Sequence, residues 1–348
     1  MDILQYIGVD YHPYQQTIAF VDEAGEIKTR RFFHTQKKAL KQFYQRFPNG
    51  SVVGVEATGQ MAWFEKMLAT CGLQLQIGDP RRIRKMALSP HKNDRRDAEH
   101  ILDLLLIGRF PTIEPRSEES QRILSFLNYR HSLVKSRTAV ANQLQAMARS
   151  FGLARFGIKA KLAETKMLAM AEEAELIELI ESRFRVHRML TAEIDLIRRK
   201  LSAKAVADEP VKLLQTHPGI GELTALCAVH TLGDVGRFGR KEQVTAFVGL
   251  VPLDESSGEK KRIGKISKHG SKLLRYLLGQ AGQKSFADER LKQFYQRVSR
   301  RRGNAKAKVA VARKLLERCY LMLRDNIDYE EFRRRGEVGL PGLPAKRV

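Results

Sequence analysis

The first part of the chain alternates between the apolar spacing of strands and that of amphipathic helices. Strands are predicted over five short ranges: 4–10, 17–21, 27–33, 51–56 and 73–78. Helices are predicted over 36–47 and 60–71. Because strands separated by helices form sheets that the helices cover, this part predicts an α/β domain with a mixed sheet.

From about residue 116 to 204 the pattern changes to that of long helices. One apolar seam has steps of four, seven, seven, three and four: Ile123, Leu127, Val134, Ala141, Leu144 and Ala148. A second seam has steps of four, three and four: Leu190, Ile194, Ile197 and Leu201. Such spacing predicts paired long helices or a short coiled coil.

The first of these helices also carries basic residues. They are Arg122, Arg130, Lys135, Arg137 and Arg149. A solvated face that keeps a long helix soluble and a nucleic-acid contact explain them equally well.

These patterns divide the chain into three domains and a tail. The α/β domain covers 1–115, and the long-helix region covers 116–204. A mainly helical domain with glycine-containing turns follows over 205–330. The tail covers 331–348, and from Gly336 onward it is predicted to lack regular structure.

The balance of charge indicates what kind of partner the chain binds. The chain has 62 Lys and Arg against 39 Asp and Glu, a formal charge of +23. Between Gly258 and Leu315, 18 basic residues accompany only three acidic ones. Nucleic acid is therefore the expected partner. An anionic membrane surface is the weaker alternative, because no apolar run approaches the ~20 residues that span a bilayer.

Composition also narrows the class of protein. With 43% apolar residues the chain can build cores, which excludes a wholly disordered basic tail. The N-terminal residues lack the features of a signal peptide. Cys71, Cys227 and Cys319 lie far apart without a CxxC pair, so neither a disulfide framework nor a cysteine zinc site is supported. A reducing, cytoplasmic location is expected.

Two acidic residues end strands that should be buried. Asp10 follows Ile7 and Val9, and Glu56 follows Val55. The carboxyl ends of strands are where α/β folds commonly place their chemistry. Asp10 alone is also typical of a turn at a strand end, and the presence of the pair weakens that interpretation.

Two further carboxylates occur in the segment KNDRRDAEH, over 92–100. Read as a helix, it places Asp94 and Asp97 on the face that continues through Ala98, Ile101 and Leu105. Aspartate favoured at a helix N-terminus explains Asp94 better than Asp97, which lies further in. Together with Asp10 and Glu56, these oxygens could hold Mg²⁺ or Mn²⁺. Such a carboxylate-bound metal site is a common apparatus for phosphodiester chemistry.

Three features of the C-terminal half suit nucleic-acid binding or chemistry. Ser256 and Ser257 precede Gly258, a pattern that by itself favours an ordinary turn. Gly219 and Gly221 in HPGIG fit either a phosphate-binding turn or a structural helix–helix turn. Basic residues that would neutralise phosphates follow the serines: Lys260, Lys261, Arg262, Lys265, Lys268, Lys272 and Arg275. The histidines show no convincing ligand spacing.

Several segments together resemble one family. They are VEATG (55–59), KNDRRDA (92–98), RHSLVKSRTAVANQL (130–144), HPGIGELTA (217–225), AFVGLVPLDESSG (246–258) and RIGKISKHGSKLLRYLL (262–278). In this order they resemble the DEDD-type insertion-sequence transposases of the insertion-sequence 110 family. The resemblance covers about residues 5 to 325 and implies a RuvC-like N-terminal domain of the ribonuclease-H fold.

The resemblance also implies a mechanism. Asp10, Glu56, Asp94 and Asp97 would bind the metal and act in catalysis. A serine of the C-terminal domain would attack DNA and form a phosphoserine link. The matching Ser-Gly pair assigns this role to Ser257, with Ser256 left open.

The partners that the resemblance implies are donor and target DNA, a non-coding guide RNA and further copies of the chain. The copies would form a dimer or tetramer, acting in the cytoplasm on the nucleoid. A hydrolytic RuvC-like junction nuclease is the alternative enzyme. A nucleic-acid-binding scaffold without activity is the third interpretation.

Overall fold

The computed structural model describes residues 4–58, 61–87, 93–114, 116–153, 161–254 and 263–336. Contacts between residues divide the chain into two compact units, Met1–Pro115 and Arg116–Val348. Among the described residues, no helix is both long enough and apolar enough to cross a membrane.

The first unit is built on a six-stranded mixed sheet in the order β3-β2-β1-β4-β5-β6. Its strands are β1 (Tyr6–Tyr11), β2 (Gln15–Val21), β3 (Ile27–Phe33), β4 (Val52–Glu56), β5 (Gln74–Gly78) and β6 (Thr112–Ile113). β1 pairs with β4 and β4 with β5 in parallel, and the other pairs are antiparallel. The five predicted strands are confirmed, and the sheet is compatible with a ribonuclease-H-like fold. The two-residue β6 was not predicted.

The helices of the first unit cover both faces of this sheet. They are α1 (Lys37–Tyr44), α2 (Ala62–Thr70), α3 (Pro80–Met86) and α4 (Asp94–Leu106). Alternate strand residues such as Ile7 and Val53 pack with α1 and α2, in a core that includes Leu40 and Phe64. On the opposite face, Leu102 of α4 packs with Ala19. The short α3 was not predicted, because four basic residues hide its apolar spacing.

Helix α4 lies directly on the backbone of two neighbouring strands. Gly8 of β1 and Gly54 of β4 are register partners. A Cβ at Gly8 would lie 2.3 Å from the carbonyl oxygen of Ala98 and 2.5 Å from the amide nitrogen of Leu102. A Cβ at Gly54 would lie 2.7 Å from Leu105 Cδ1. These two glycines therefore set how closely α4 approaches the sheet.

The second unit begins with an antiparallel pair of long helices. They are α5 (Glu118–Ser150) and α7 (Ala174–Ala207), joined through α6 (Lys161–Leu168). Near the start of α5, Ile123 shares a core with Leu201 of α7. Near its end, Leu144 shares another core with Ile180. The predicted pairing of long helices is confirmed, and coiled-coil geometry stays a prediction.

In the described part of the second unit, seven further helices and a small hairpin follow. The helices are α8 (Glu209–Gln215), α9 (Glu222–Leu232), α10 (Lys241–Val248), α11 (Lys272–Lys284), α12 (Glu289–Arg302), α13 (Asn304–Asp325) and α14 (Tyr329–Arg335). The hairpin consists of β7 (Pro252–Asp254) and β8 (Ile263–Ile266). Arg300–Arg302 form the last turn of α12.

Candidate metal centre and hairpin base

Asp10 lies near the carboxyl end of β1, on the face that α4 covers. Because side chains alternate along a strand, residues 8, 10 and 12 point to the same side. Gly8 lies under α4, so Asp10 and His12 point toward the beginning of that helix. The Asp10 side chain is only 15% exposed.

Asp94 and His12 complete a compact group of ligand atoms with Asp10. Asn93 caps α4 by accepting a hydrogen bond from the Arg95 amide, which places Asp94 at the first helical position. His12 Nε2 lies 3.0 Å from Asp10 Oδ2 and 3.5 Å from Asp94 Oδ1. One ligand atom from each of the three residues lies within 4.8 Å of the other two.

The remaining oxygen of Asp94 is held by residues of the sheet. Asp94 Oδ2 accepts a hydrogen bond from Arg31 Nη2 at 2.9 Å and a longer one from Gln15 Nε2 at 3.4 Å. Arg31 lies on β3 and pairs with Thr17, which itself pairs with Asp10. These donors orient the Asp94 carboxylate so that Oδ1 faces His12.

The pKa of Asp10 reflects its burial first and the charges of its neighbours second. Burial raises the pKa of the Asp10 carboxyl, and the charges of Asp97 and Asp94 raise it further. His12 opposes this by lowering that pKa. A divalent cation at this position would relieve the repulsion between the carboxylates.

Glu56 and Asp97 lie at the edge of this group. Glu56 ends β4, one residue beyond the Val9–Val55 pair, so it lies beside Asp10 at the same end of the sheet. Its Oε1 is 3.8 Å from Arg84 Nη2. Asp97 lies in the first turn of α4 and is half-buried. In the part of the chain that the structure describes, the ligand group contains neither of them.

His12 was missed by the sequence analysis. Its pattern, an aspartate and a histidine two positions apart at the end of a strand, places both on one face of the sheet. That signal is present in the sequence at Asp10, Tyr11 and His12. The Asp10–His12 pair forms a ligand group only together with Asp94, which is distant in the sequence.

The predicted nucleophile and three of its basic neighbours lie outside the described residues. They are Ser257, its alternative Ser256, Lys260, Lys261 and Arg262. The strands on either side are described. Pro252 pairs with Ile266 and Asp254 with Ile263, so the segment is flanked by an antiparallel hairpin. Lys265 lies on β8.

Two glycine turns interlock at the base of this hairpin. Gly249 has φ +79° and ends α10, and Gly270 has φ +73°. A Cβ at Gly249 would lie 2.0 Å from the carbonyl oxygen of His269. One at Gly270 would lie 2.1 Å from that of Phe247. The two turns therefore tolerate no side chain between them.

Arg275 fastens these turns together. Its Nη1 donates to the carbonyl oxygens of Val248, His269 and Gly270, at 2.8, 2.6 and 3.2 Å. Lys268 and Lys272 are exposed. Of the three residues, Arg275 therefore has a structural task that the sequence analysis did not predict.

Comparisons with known proteins identify the family. A DEDD transposase model of the insertion-sequence IS110 type matches residues 7–152, and the model described as Transposase IS116/IS110/IS902 family matches 211–296. The transposase for insertion sequence element IS1111A of Coxiella burnetii is 30% identical over 288 residues, which cover 80% of this chain and 77% of that protein. The chain belongs to the IS110 family of transposases.

Two further relatives agree with this assignment. The transposase for insertion sequence element IS1328 of Yersinia enterocolitica is 29% identical, over 80% of this chain and 82% of its own. A probable family 20 transposase of Pseudomonas aeruginosa is 28% identical, over 79% and 82%. The resemblance drawn from the sequence motifs is confirmed.

In this transposase, the predicted phosphate-binding turn has a clear packing role. Gly219 lies between α8 and α9 with φ +89°, and a Cβ there would lie 2.6 Å from the Ser285 amide nitrogen. His217 is buried, with its Nε2 3.2 Å from Arg318 Nη1. Gly221 is exposed and is the N-cap residue of α9. Packing thus accounts for Gly219, and phosphate binding at this turn stays a prediction.

Replacing Arg275 by alanine is expected to lower the free energy of unfolding by about 2 kcal/mol. The change leaves three carbonyls without their charged donor. Faster amide hydrogen exchange over 247–254 and 263–270 would report the loosened turns. Lys272→Ala, on the same helix but exposed, is the control and should leave exchange unchanged. Equal exchange in the two variants would contradict the role given to Arg275.

Proposed function

We propose that this transposase cuts and rejoins DNA through a covalent phosphoserine link, with metal-binding carboxylates at Asp10, Glu56, Asp94 and Asp97. The observation that carries the proposal is the meeting of Asp10, His12 and Asp94 at the end of β1. Two carboxylates meet there at a partly buried position. Membership of a transposase family gives the substrate class, DNA.

The residues present fit a divalent cation. Carboxylate oxygens suit Mg²⁺ or Mn²⁺. Burial, and after it the charges of Asp97 and Asp94, raise the pKa of Asp10, so a bound positive charge would be favoured beside it. Asp10 and Asp94 would bind the ion, with Glu56 and Asp97 beside them. Bound there, the ion would polarise a phosphoryl oxygen and stabilise the charge that develops on it.

The protein's own groups prepare this site. Arg31 and Gln15 fix one oxygen of Asp94, which leaves the other directed at the ligand group. His12 Nε2 forms a hydrogen bond with Asp10 Oδ2. Because Arg31 and Gln15 lie on strands of the sheet, the Asp94 carboxylate needs little reorganisation when DNA and metal bind.

The covalent step is assigned to Ser257, with Ser256 as its alternative. The serine oxygen forms a bond to phosphorus, one phosphorus–oxygen bond to a deoxyribose breaks, and the freed strand leaves as an alcohol. Attack by the hydroxyl of a second strand restores the diester and releases the serine. The phosphodiester bond energy is retained, so strand exchange needs no external energy source.

The proposal extends to the partners. The C-terminal window with 18 basic residues suits simultaneous contact with DNA and RNA. Following the family resemblance, the RNA would be a non-coding guide that pairs with donor and target DNA. The active form would be a dimer or tetramer, in which carboxylates of one protomer can serve the serine of another.

Trapping the adduct tests the mechanism. Full-length protein, its guide RNA and labelled donor DNA are mixed with Mg²⁺ and stopped in denaturant. A protein–DNA band that resists denaturant and disappears with EDTA is expected. Mass spectrometry of the digested adduct should place the nucleotide on Ser257, and Ser257→Ala should abolish the band. Ser256→Ala is the matched control and should retain it.

Two outcomes would redirect the proposal. Cleavage at full rate by Ser257→Ala, without any adduct, would show a hydrolytic nuclease instead. An adduct that persists in Ser257→Ala and disappears in Ser256→Ala would move the nucleophile by one residue.

A further inference from the structure

A cavity of about 230 Å³ lies between α5, α9 and α11 in the second unit. We call it the α5–α11 pocket. Its wall on α5 carries Arg130, His131 and Arg137, and its wall on α11 carries Tyr276 and Gln280. The predicted catalytic residues are not among those that line it.

Cations converge on this pocket without ion-pair partners. Among the described residues, no carboxylate lies within 4 Å of the charged groups of Arg130, Arg137 or Lys272. Arg130 Nε is buried and makes no hydrogen bond. Burial lowers the pKa of Arg130, and the charges of Arg198 and Arg137 lower it further. Unpaired positive groups held this close are costly unless an anion joins them.

Two carboxylates offset part of this charge. Asp195 and Glu222 both raise the pKa of Arg130 from a distance. Glu222 is engaged by Ser202, whose hydroxyl donates to its carboxylate at 2.7 Å. These carboxylates therefore offset part of the charge on Arg130, whose buried Nε still makes no hydrogen bond.

The rest of the pocket is aromatic and apolar. The rings of His131 and Tyr276 lie 4.7 Å apart, and Tyr276 is 46% exposed. Burial first, and then Lys135, Lys272 and Arg130, lower the pKa of His131, which favours its neutral ring. Aliphatic side chains form the remaining lining: Leu127, Val134, Leu223, Leu273 and Leu277.

We propose that the α5–α11 pocket binds one unpaired nucleotide of a nucleic-acid strand. The base packs on the His131–Tyr276 wall and the leucines, Gln280 is available to its polar edge, and Arg130 and Arg137 take a neighbouring phosphate. A fully paired duplex keeps its bases stacked and meets a protein mainly through exposed lysine and arginine. A pocket that joins an aromatic wall to half-buried cations suits a base outside the stack.

The proposal rests on the proposed function only for its ligand class, nucleic acid. The same chemistry is offered by single-stranded RNA, by a DNA strand opened during exchange and by a free mononucleotide. The three sources are separated by using each as a probe.

The experiment measures binding of oligonucleotides that carry one 2-aminopurine, whose fluorescence falls when it stacks on an aromatic ring. The probes are a single-stranded DNA, a single-stranded RNA, a fully paired duplex of the same sequence, and 2-aminopurine nucleotide alone. Wild-type protein should lower the fluorescence of a single-stranded probe and leave the fluorescence of the paired probe, which is already stacked, unchanged. Quenching of the nucleotide alone would assign the pocket to a small ligand and overturn the proposal for a strand.

Variants of residues inside and outside the pocket show where the binding and the quenching arise. Tyr276→Ala should weaken single-strand binding about tenfold and remove quenching, and Tyr276→Phe should keep both. Arg137→Ala should weaken binding of the same probe. Tyr129→Ala is the aromatic control, being 49% exposed on α5 and outside the pocket. Arg185→Ala, exposed on α7, is the charge control.

The outcomes separate this proposal from the function itself. Equal binding and quenching in Tyr276→Ala and Tyr129→Ala would overturn the pocket and leave the transposase mechanism intact. Pocket variants that bind the probes as wild type does but form no adduct would likewise overturn the pocket proposal and would not contradict the transposase mechanism. Wild-type protein that binds no probe would overturn the pocket, and the adduct assay would then decide the proposed function separately. Thermal unfolding of each variant confirms that it is folded.

Discussion

Replacing Asp10 by asparagine is expected to slow formation of the protein–DNA adduct by a factor of about 10²–10³. The amide keeps the shape of the carboxyl group and can still accept a hydrogen bond from His12. It removes one negative charge from the group formed by Asp10, His12 and Asp94. The fold should therefore persist while the affinity for Mg²⁺ falls. Rates of adduct formation at a series of Mg²⁺ concentrations would measure both effects.

Asp103→Asn is the control for this change. Asp103 lies on the exposed side of α4 and is likewise an aspartate, so its replacement alters the net charge equally. It should leave the adduct rate within about twofold of wild type. Equal rates for Asp10→Asn and wild type would show that the cluster serves stability and that the metal centre lies elsewhere.

Replacing Gly8 by alanine is expected to lower the free energy of unfolding of the first unit by about 3 kcal/mol. The new Cβ would lie 2.3 Å from a backbone oxygen of α4, and backbone cannot rotate away as a side chain can. The helix must rise from the sheet, which also separates Asp94 from Asp10. A large loss of adduct formation should accompany the loss of stability.

Gly54→Ala is expected to destabilise the first unit less than Gly8→Ala and serves as the comparison. Its Cβ would meet the end of the Leu105 side chain, which can move, so a cost of about 1 kcal/mol is expected. Trp63 is the only tryptophan of the chain and lies on α2, so its fluorescence reports unfolding of the first unit. Urea midpoints should fall in the order wild type, Gly54→Ala, Gly8→Ala. Identical midpoints for Gly8→Ala and wild type would contradict the close packing of α4.

The fold was predictable where the chain repeats a pattern over several residues. Strands β1 to β5 alternate or run apolar because α1, α2 and α4 cover them, and α5 and α7 carry long seams. The elements that were missed have too few residues to show a period: β6 has two, and α3 is largely basic. The sharper signal for α3 was the pair Asp79-Pro80, a side-chain cap followed by proline in the first turn.

The candidate site was predictable in part for a related reason. Strand ends and the spacing of Asp94 and Asp97 placed the carboxylates, because both depend on local geometry. His12 and Arg31 depend on which strands become neighbours, and a single sequence does not contain that order. Arg275 was grouped with the basic surface because charge alone does not reveal three carbonyls folded around a guanidinium. The role of Ser257 came from family resemblance, since its local pattern favours a turn.

The two turns that Arg275 links at the base of the β7–β8 hairpin affect how far the length of the segment between β7 and β8 can change. Gly249, Gly270 and Arg275 bring Asp254 and Ile263 together by contacts outside the segment that joins them. These contacts offset the entropic cost of bringing the two ends together. Each doubling of the length of the connecting segment adds only about 0.6 kcal/mol to that cost. Insertions or deletions between Asp254 and Ile263 are therefore expected to cost little stability, provided that the two glycines and the arginine stay in place.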